Sequence, residues 1–183
     1  MHHTHDYLPS AAGLPVWLQR ELRSDHAGET GAVWIYLGIL QFSRDPDIRS
    51  FAEEHLQTEQ QHLSIFAAWM PKKLTSLLLP LWRLSGWMLG ALSVLGGRRA
   101  VFATIEAVET FVVAHYQQQI ERLAREQIYP DIATVLKQCM DDEAHHRDDA
   151  AKRYLGHPST LLRAWQGVVG GGSALAVVAA RRV

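Results

Sequence analysis

The segments Glu59-Gln60-Gln61-His62 and Glu143-Ala144-His145-His146 each place a glutamate three residues before a histidine. In an α-helix, residues three apart lie on the same face, so each segment directs a carboxylate and an imidazole toward one point. One such motif alone is more typical of a solvated helix surface. Two of them, each on the second helix of a helical pair, predict a shared site between helices.

A single glutamate stands on the helix that precedes each motif. Glu29 lies in the first helix, and Glu109 lies among apolar residues between Val101 and Val113. The intervals from these glutamates to the following motifs both fit a helix, a short loop and an antiparallel return. Burying a carboxylate in an apolar core costs free energy unless the group is paired or binds a cation. The apolar surroundings of Glu109 therefore indicate a metal site.

The six residues match the ligand pattern of ferritin-like proteins with two metal ions. That pattern has one glutamate from each of two helices and Glu-x-x-His from each of two others. Four carboxylates offset the charge of two divalent ions, and mixed oxygen and imidazole ligands favour iron or manganese over zinc. The alternative is a set of solvated surface charges. The predicted ligands are Glu29, Glu59, His62, Glu109, Glu143 and His146.

Three further residues are expected to support this site. Asp142 directly precedes Glu143, and Asp25 lies one helical turn before Glu29, so each is a candidate for orienting a ligand histidine. Tyr116 lies two turns after the third-helix glutamate and falls on the same face, from which it is expected to reach the site. The alternative for Tyr116 is an ordinary core residue.

Proline and glycine residues divide the chain into six expected helices and no sheet. The prediction is an all-α, ferritin-like four-helix bundle with two additional shorter, apolar helices. Residues 1–14 are expected to form a mobile N-terminal segment, and residues 15–183 a single ferritin-like di-iron domain. Pro80 and several glycines leave open whether residues 74–97 form one kinked helix or two short pieces.

Residues 74–97 form an apolar segment in which Arg83 is the single charge. A membrane span, a buried core helix and an interfacial helix all fit such a composition. Pro80 and Arg83 argue against a clean span, while Trp82 and Trp87 suit the level of lipid headgroups. The interfacial interpretation is therefore favoured, and we expect 74–97 to be a membrane-facing crossover between the two helix pairs.

The composition excludes several classes of protein. The chain has 183 residues, with 18 Lys and Arg against 19 Asp and Glu. It therefore lacks the excess of positive charge that is typical of proteins that bind nucleic acid. A single cysteine, Cys139, excludes an internal disulfide and an all-cysteine metal site. The N-terminus lacks a basic region followed by an apolar core, so no secretory signal is expected.

Several further motifs accompany the predicted ligands. They are Asp25-His26-Ala27-Gly28-Glu29-x-Gly31-Ala32 with Ile35-Tyr36, Glu59-x-x-His62, Leu79-Pro80-Leu81-Trp82, Ala107-Val108-Glu109, His115-Tyr116 and Asp142-Glu143-x-x-His146. In these motifs, and over about residues 20–183, the sequence resembles the demethoxyubiquinone hydroxylase family of ubiquinone biosynthesis. Thr30 and Thr110 depart from residues that are frequent in that family, which leaves the exact quinone open while the ligands stay intact.

This resemblance implies a di-iron monooxygenase with the six ligands named above, and with His115 and Tyr116 as a catalytic pair near the metals. The implied substrate is a demethoxy-ubiquinone precursor, a 2-polyprenyl-3-methyl-6-methoxy-1,4-benzoquinol, hydroxylated with dioxygen and NADH-derived electrons. The implied partners are the polyprenyl quinone and the membrane surface, while an accessory lipid-binding protein and a homo-oligomer are left open.

The implied location is peripheral, on the cytoplasmic face of the cell membrane in a bacterium or the matrix face of the mitochondrial inner membrane in a eukaryote. Three alternatives remain. One is a ferritin-like iron oxidase or peroxidase without an organic substrate. Another is a di-iron hydroxylase of a different lipid-soluble quinone or, against the charge balance, of modified tRNA. The third is a non-catalytic protein that binds a quinone or lipid.

Overall fold

A computed structural model describes residues 10–154 and 158–183. Within these ranges the chain has no strand, so the predicted all-α class and its six helices are confirmed. Two short 3-10 helices, Ala11–Gly13 and Lys72–Leu74, precede α1 and α3. The helices are α1 (Val16–Phe42), α2 (Pro46–Trp69), α3 (Leu79–Leu95), α4 (Arg98–Glu126), α5 (Pro130–Arg153) and α6 (Thr160–Ala180).

Local sequence signals fix where the helices begin. The Asp45 side chain caps α2 by accepting hydrogen bonds from the main-chain nitrogens of Asp47, at 2.9 Å, and Ile48, at 3.3 Å. Proline occupies the start of α2, α3 and α5, where its missing N–H leaves no helical hydrogen bond unmade. Gly97 precedes α4 with a φ of 83°, a conformation that favours glycine.

Two helix pairs build the bundle and two further helices pack outside it. Helix α1 packs against α2, and α4 against α5, with short connections inside each pair. Helix α3 packs along α1, while α6 crosses α4 and α1. Apolar clusters fill the two ends of the bundle, one around Phe51 and Phe102 and the other around Phe66 and Leu136. The charged site described below lies between these clusters.

The glycines of the apolar crossover are packing residues. A Cβ added to Gly86 would collide with the carbonyl oxygen of Gly31, and one added to Gly90 with that of Ile35. Gly38 of α1 faces the carbonyl oxygen of Trp87 in the same way. The backbones of α1 and α3 therefore approach each other closely at these glycines. Helix α3 runs without a break from Leu79 to Leu95, so it is one helix and not two pieces.

Helices α3 and α6 each expose a stripe of large apolar side chains. The α6 segment Thr160–Ala180 is long and apolar enough to cross a membrane by length and composition, and 6% of its apolar window is buried. From the sequence, the membrane-facing role is expected of 74–97, and the uncharged, glycine-rich stretch 164–180 is expected to help line the same mouth. The exposed residues are Leu77, Leu81, Leu84, Met88, Leu92 and Leu95 near or on α3, and Leu161, Val168, Leu175 and Val178 on α6.

Most of the expected N-terminal segment, residues 1–9, lies outside the described part of the chain. Of the remainder, Ala11 and Leu14 are buried in the apolar cluster around Phe66. The expected mobility of residues 1–14 therefore stays a prediction, and the side chains of Ala11 and Leu14 pack on the bundle.

Candidate metal centre

The six predicted ligands come from the four bundle helices and meet in the middle of the bundle. Each has a relative exposure of 3% or less. Their ligand atoms form two overlapping groups in which all atoms lie within 4.8 Å of one another. One group contains Glu29, Glu59, His62 and Glu143; the other contains Glu59, Glu109, Glu143 and His146. The structure thus brings together all six residues.

Glu143 lies between the two ligand histidines. Its Oε1 is 2.9 Å from Nδ1 of His62, and its Oε2 is 3.1 Å from Nδ1 of His146. The same nitrogen of His62 is 3.7 Å from Glu29 Oε2, and that of His146 is 3.0 Å from Glu59 Oε1. Both histidines therefore present Nδ1 to the carboxylates, and Glu59 and Glu143 belong to both groups.

Burial raises the pKa of Glu29, Glu59 and Glu109, and neighbouring carboxylates add to the rise. Burial also favours the neutral form of Glu143, but its two histidine partners outweigh this effect and lower its pKa to about 2. Burial disfavours a charged His146, yet Glu143 and Glu59 raise its pKa to about 10. The raised pKa values of three glutamates show that their charged forms are unfavourable in the cluster as it stands, and a bound cation would favour those charged forms.

Unpartnered oxygens show that the donor set fits metal ions. Among the described residues, Glu29 Oε2 and Glu109 Oε1 are buried without a hydrogen-bond partner. An unpartnered buried carboxylate oxygen is costly, and a coordinated cation removes that cost. Four carboxylates and two imidazoles match the ligand types of iron and manganese.

Two expected supporting residues contact this cluster. Asp142 Oδ2 lies 3.1 Å from Nε2 of His62, the ring nitrogen that faces away from the carboxylates. Such a contact orients a ligand imidazole and leaves Nδ1 for a metal. Tyr116 is fully buried and its hydroxyl donates to Glu29 Oε1.

The other two expected residues pair with each other and have no described contact with the six ligands. His115 Nε2 lies 3.0 Å from Asp25 Oδ1. In the described contacts, Asp25 is therefore a partner of His115 and is not a partner of His62 or His146.

Two buried residues near the cluster, Tyr36 and His55, were given no role in the site from the sequence. Tyr36 stands seven residues after Glu29, as Tyr116 stands after Glu109, so the repeated spacing was the available signal. Burial, and then the charge of Glu109, raise the pKa of Tyr36 well above its ordinary value. His55 lies 3.1 Å from Asp149 Oδ2, and its ring centroid is 4.2 Å from that of His146.

A cavity of about 600 Å³ leads from the cluster toward α3 and α6. Carboxylates of both ligand groups line its inner end, and Ser24, Asp25, His115 and Tyr116 line another part of its wall. The remaining lining is dominated by apolar residues of α1, α3, α4 and α6. Such a lining can accommodate an apolar molecule beside the carboxylate cluster.

Comparison with known proteins gives one consistent result. The sequence profile of the family described as "Ubiquinone biosynthesis protein COQ7" matches residues 16–180. The chain is 32% identical over 152 residues to the mouse (Mus musculus) "NADPH-dependent 3-demethoxyubiquinone 3-hydroxylase, mitochondrial", a match that covers 81% of this chain and 68% of the mouse protein. It is 30% identical over 186 residues to the "3-demethoxyubiquinol 3-hydroxylase" of Rhodospirillum rubrum, covering 97% of this chain and 84% of that protein. The Saccharomyces cerevisiae "5-demethoxyubiquinone hydroxylase, mitochondrial" is 30% identical over 165 residues, 80% of this chain and 71% of the yeast protein.

Proposed function

This chain belongs to the family of ubiquinone biosynthesis protein COQ7, and we propose that it is a monooxygenase that hydroxylates the ring of a demethoxy-ubiquinone precursor. The observation that carries the proposal is the buried cluster of four glutamates and two histidines at the inner end of an apolar cavity. In the reaction, a ring C–H bond becomes C–OH. The second oxygen atom of dioxygen leaves as water after taking up two electrons and two protons.

The proposed metals are two iron ions held by the six buried ligands. When bound, they supply the chemistry of dioxygen activation. Glu59 and Glu143 belong to both ligand groups and would therefore help to hold both ions. Asp142 keeps His62 oriented through Nε2, and the Tyr116 hydroxyl holds one oxygen of Glu29.

The proposed substrate position is the cavity. Its volume of about 600 Å³ lies within the usual range for small-molecule sites and suits a substituted ring with the first part of a polyprenyl tail. Val108 and Val112 of α4 and Ile35 of α1 supply apolar wall near the ligands. This wall orients the ring and excludes water, which favours transfer of oxygen to carbon.

The proposed location of the protein is the surface of a membrane. The exposed apolar stripes of α3 and α6 border the cavity and would enter the lipid, where a polyprenyl tail resides. The mouse and yeast relatives are named as mitochondrial proteins. For this chain we propose the matrix face of the inner membrane if it is eukaryotic, and the cytoplasmic face of the cell membrane if it is bacterial.

The proposed electron source is NADH, although the name of the mouse relative specifies NADPH. A direct test is turnover of iron-loaded protein in vesicles with a short-tail demethoxy-quinol and dioxygen. NADH and NADPH are supplied in separate reactions, and mass spectrometry detects a product one oxygen heavier. We expect product from the wild type and a loss of at least about 100-fold in Glu109→Ala, since a ligand is removed from a buried site.

Gln118→Leu, an exposed change on the same helix, is the matched control and is expected to keep wild-type turnover. Equal product from Glu109→Ala and the wild type would contradict the site. Iron oxidation without hydroxylated product across several quinols would instead favour the ferritin-like oxidase.

A further inference from the structure

The segment before α3 and the end of α6 meet at one point on the surface. Arg23 of α1 donates from Nε to the carbonyl oxygen of Leu74, at 2.7 Å, and from Nη1 to that of Arg181, at 3.5 Å. The guanidinium of Arg181 donates to Glu21 Oε2 at 2.6 and 2.9 Å. These contacts hold the short helix Lys72–Leu74 beside the C-terminal end of α6.

This meeting point gathers four basic side chains, Lys72, Lys73, Arg181 and Arg182, which we call the basic rim. Lys72, Lys73 and Arg182 are exposed, and none of these three has a hydrogen-bond or ion-pair partner within residues 10–154 and 158–183. Glu21, an acidic side chain in contact with the basic rim, is already paired with Arg181. The basic rim therefore has three positive charges that the described part of the protein leaves unpaired.

Large apolar side chains are exposed next to the basic rim. Leu77 follows Lys73 by four residues and is 83% exposed, and Leu175 lies two helical turns before Arg182 and is 72% exposed. A small soluble anion accounts for the positive charges but gives no reason for these leucines to face outward. A phospholipid accounts for both, because its phosphate pairs with cations and its acyl chains cover apolar side chains.

The opposite ends of α3 and α6 carry arginines that are largely engaged within the protein. Arg98 pairs with Asp45 at 3.4 Å and with Asp47 at 2.8 Å. Arg99 lies over a tyrosine ring, 5.0 Å from the ring centroid. Arg163, in the first turn of α6, is exposed. Unpaired positive charge is therefore more concentrated at the end of the apolar stripes where the basic rim lies.

We propose that the basic rim is a binding site for the phosphate groups of anionic phospholipids. At this site the cations contact the lipid headgroups, while Leu77, Leu175 and the exposed stripes of α3 and α6 lie among the acyl chains. Ala179 and Ala180 line the cavity directly before the basic rim, so this end of the cavity lies at headgroup level. The site rests on the membrane location in the proposed function, to which it adds the class of lipid and the residues that select it.

Vesicle flotation of the iron-loaded full chain tests the site without turnover. The probes are vesicles of phosphatidylcholine alone and vesicles in which about a third of this lipid is replaced by phosphatidylglycerol. Each cation near an anionic surface contributes about fivefold to affinity, so we expect the wild type to bind the anionic vesicles at least about tenfold more tightly. At about 0.5 M salt we expect this preference to shrink to about twofold or less, because the ions screen the attraction.

Variants in both segments of the basic rim locate the attraction. Lys73→Gln and Arg182→Gln should each weaken binding to anionic vesicles about fivefold, and binding to neutral vesicles by less than about twofold. Lys152→Gln is the matched control, since Lys152 is likewise exposed and has no partner in the described structure. It lies outside the basic rim on α5, which packs on α4 and α2, so its binding should match that of the wild type within about twofold.

The outcomes separate the basic rim from other causes of binding. Equal binding of the wild type to both kinds of vesicle would show that apolar insertion alone holds the protein, and would overturn the proposal. Equal losses in Lys73→Gln and Lys152→Gln would also overturn it, because they would reflect overall charge. A wild type that keeps the anionic preference but hydroxylates no quinol would contradict the proposed function and leave the lipid site intact. A wild type that hydroxylates a quinol without this preference would do the reverse.

Discussion

The two ends of the bundle differ at positions that correspond in the two helix pairs. Asp25 stands one turn before Glu29, and its partners His115 and Gln119 stand six and ten residues after Glu109. The corresponding residues at the other end are all isoleucines, and they belong to one buried apolar cluster. They are Ile105, Ile35 and Ile39.

The contrast shows where the fold keeps buried polar groups. Both ends are close to fully buried, and hydrocarbon at the isoleucine end needs no hydrogen-bond partners. The polar end lies on the cavity wall, which Asp25 and His115 line. The difference therefore shows that one end is built for packing, while the other keeps its buried polar groups beside the cavity.

The largest expected effect comes from making the apolar end polar. Ile105→Asp places a carboxylate among isoleucines with no partner, so we expect the free energy of unfolding to fall by about 3–5 kcal/mol. Urea unfolding measures it. Ile105→Val, which only shortens the side chain, is the control and should cost about 1 kcal/mol. Similar losses in both variants would show that this end tolerates a charge.

A smaller effect on stability is expected from adding a methyl group at two glycines, one closely packed and one with open space around it. Gly90→Ala drives a Cβ into the carbonyl oxygen of Ile35 at the apolar end, so it should destabilise the protein by about 1–3 kcal/mol. Gly28, which lines the cavity, has open space around it, and Gly28→Ala should stabilise α1 by up to about 1 kcal/mol. Melting temperatures that shift in the same direction would contradict this difference between the ends.

The smallest expected effect is a pH dependence of stability that is due to His55. His55 and Cys139 occupy corresponding positions, each one turn before the glutamate of its motif. Burial, and then the charge of His146, lower the pKa of His55 from 6.5 to about 4. The unfolded chain then binds more protons than the folded one between these values, so stability should fall as the pH drops from 6.5 to 4. His55→Cys should flatten this slope in metal-free protein, measured by unfolding at several pH values. If the stability of the wild type and of His55→Cys changed equally with pH, His55 would not be the cause of the pH dependence.

The sequence was sufficient to predict the helices and the convergence of the six buried side chains. Proline positions and the Asp45 cap mark helix starts, and Glu-x-x-His spacing fixes which faces meet, because both depend on local geometry. The repetition of a helix pair predicted that Glu29 and Glu109 contribute to the same site. Their roles as metal ligands stay a prediction.

The remaining features depend on contacts between helices that have no local signal. Glycines in 74–97 suggested a break, whereas they allow α3 to approach the backbone of α1. Asp25 was expected to orient a ligand histidine, but the crossing of α1 and α4 places it on His115 and Gln119. Tyr36 follows Glu29 at the same spacing as Tyr116 follows Glu109, but it received no role in the site because the duplication was not extended beyond the ligands.

The central claim is that the buried cluster holds two iron ions, and the iron content of anaerobically purified protein tests it most directly. Elemental analysis with Mössbauer spectroscopy should find about two iron ions per chain, since two ligand groups are present. Glu143→Ala removes a residue common to both groups and should bring the content close to zero, whereas Glu109→Ala, which affects one group, should retain about one. Wild-type protein with no bound iron, or Glu143→Ala with as much iron as the wild type, would contradict the account.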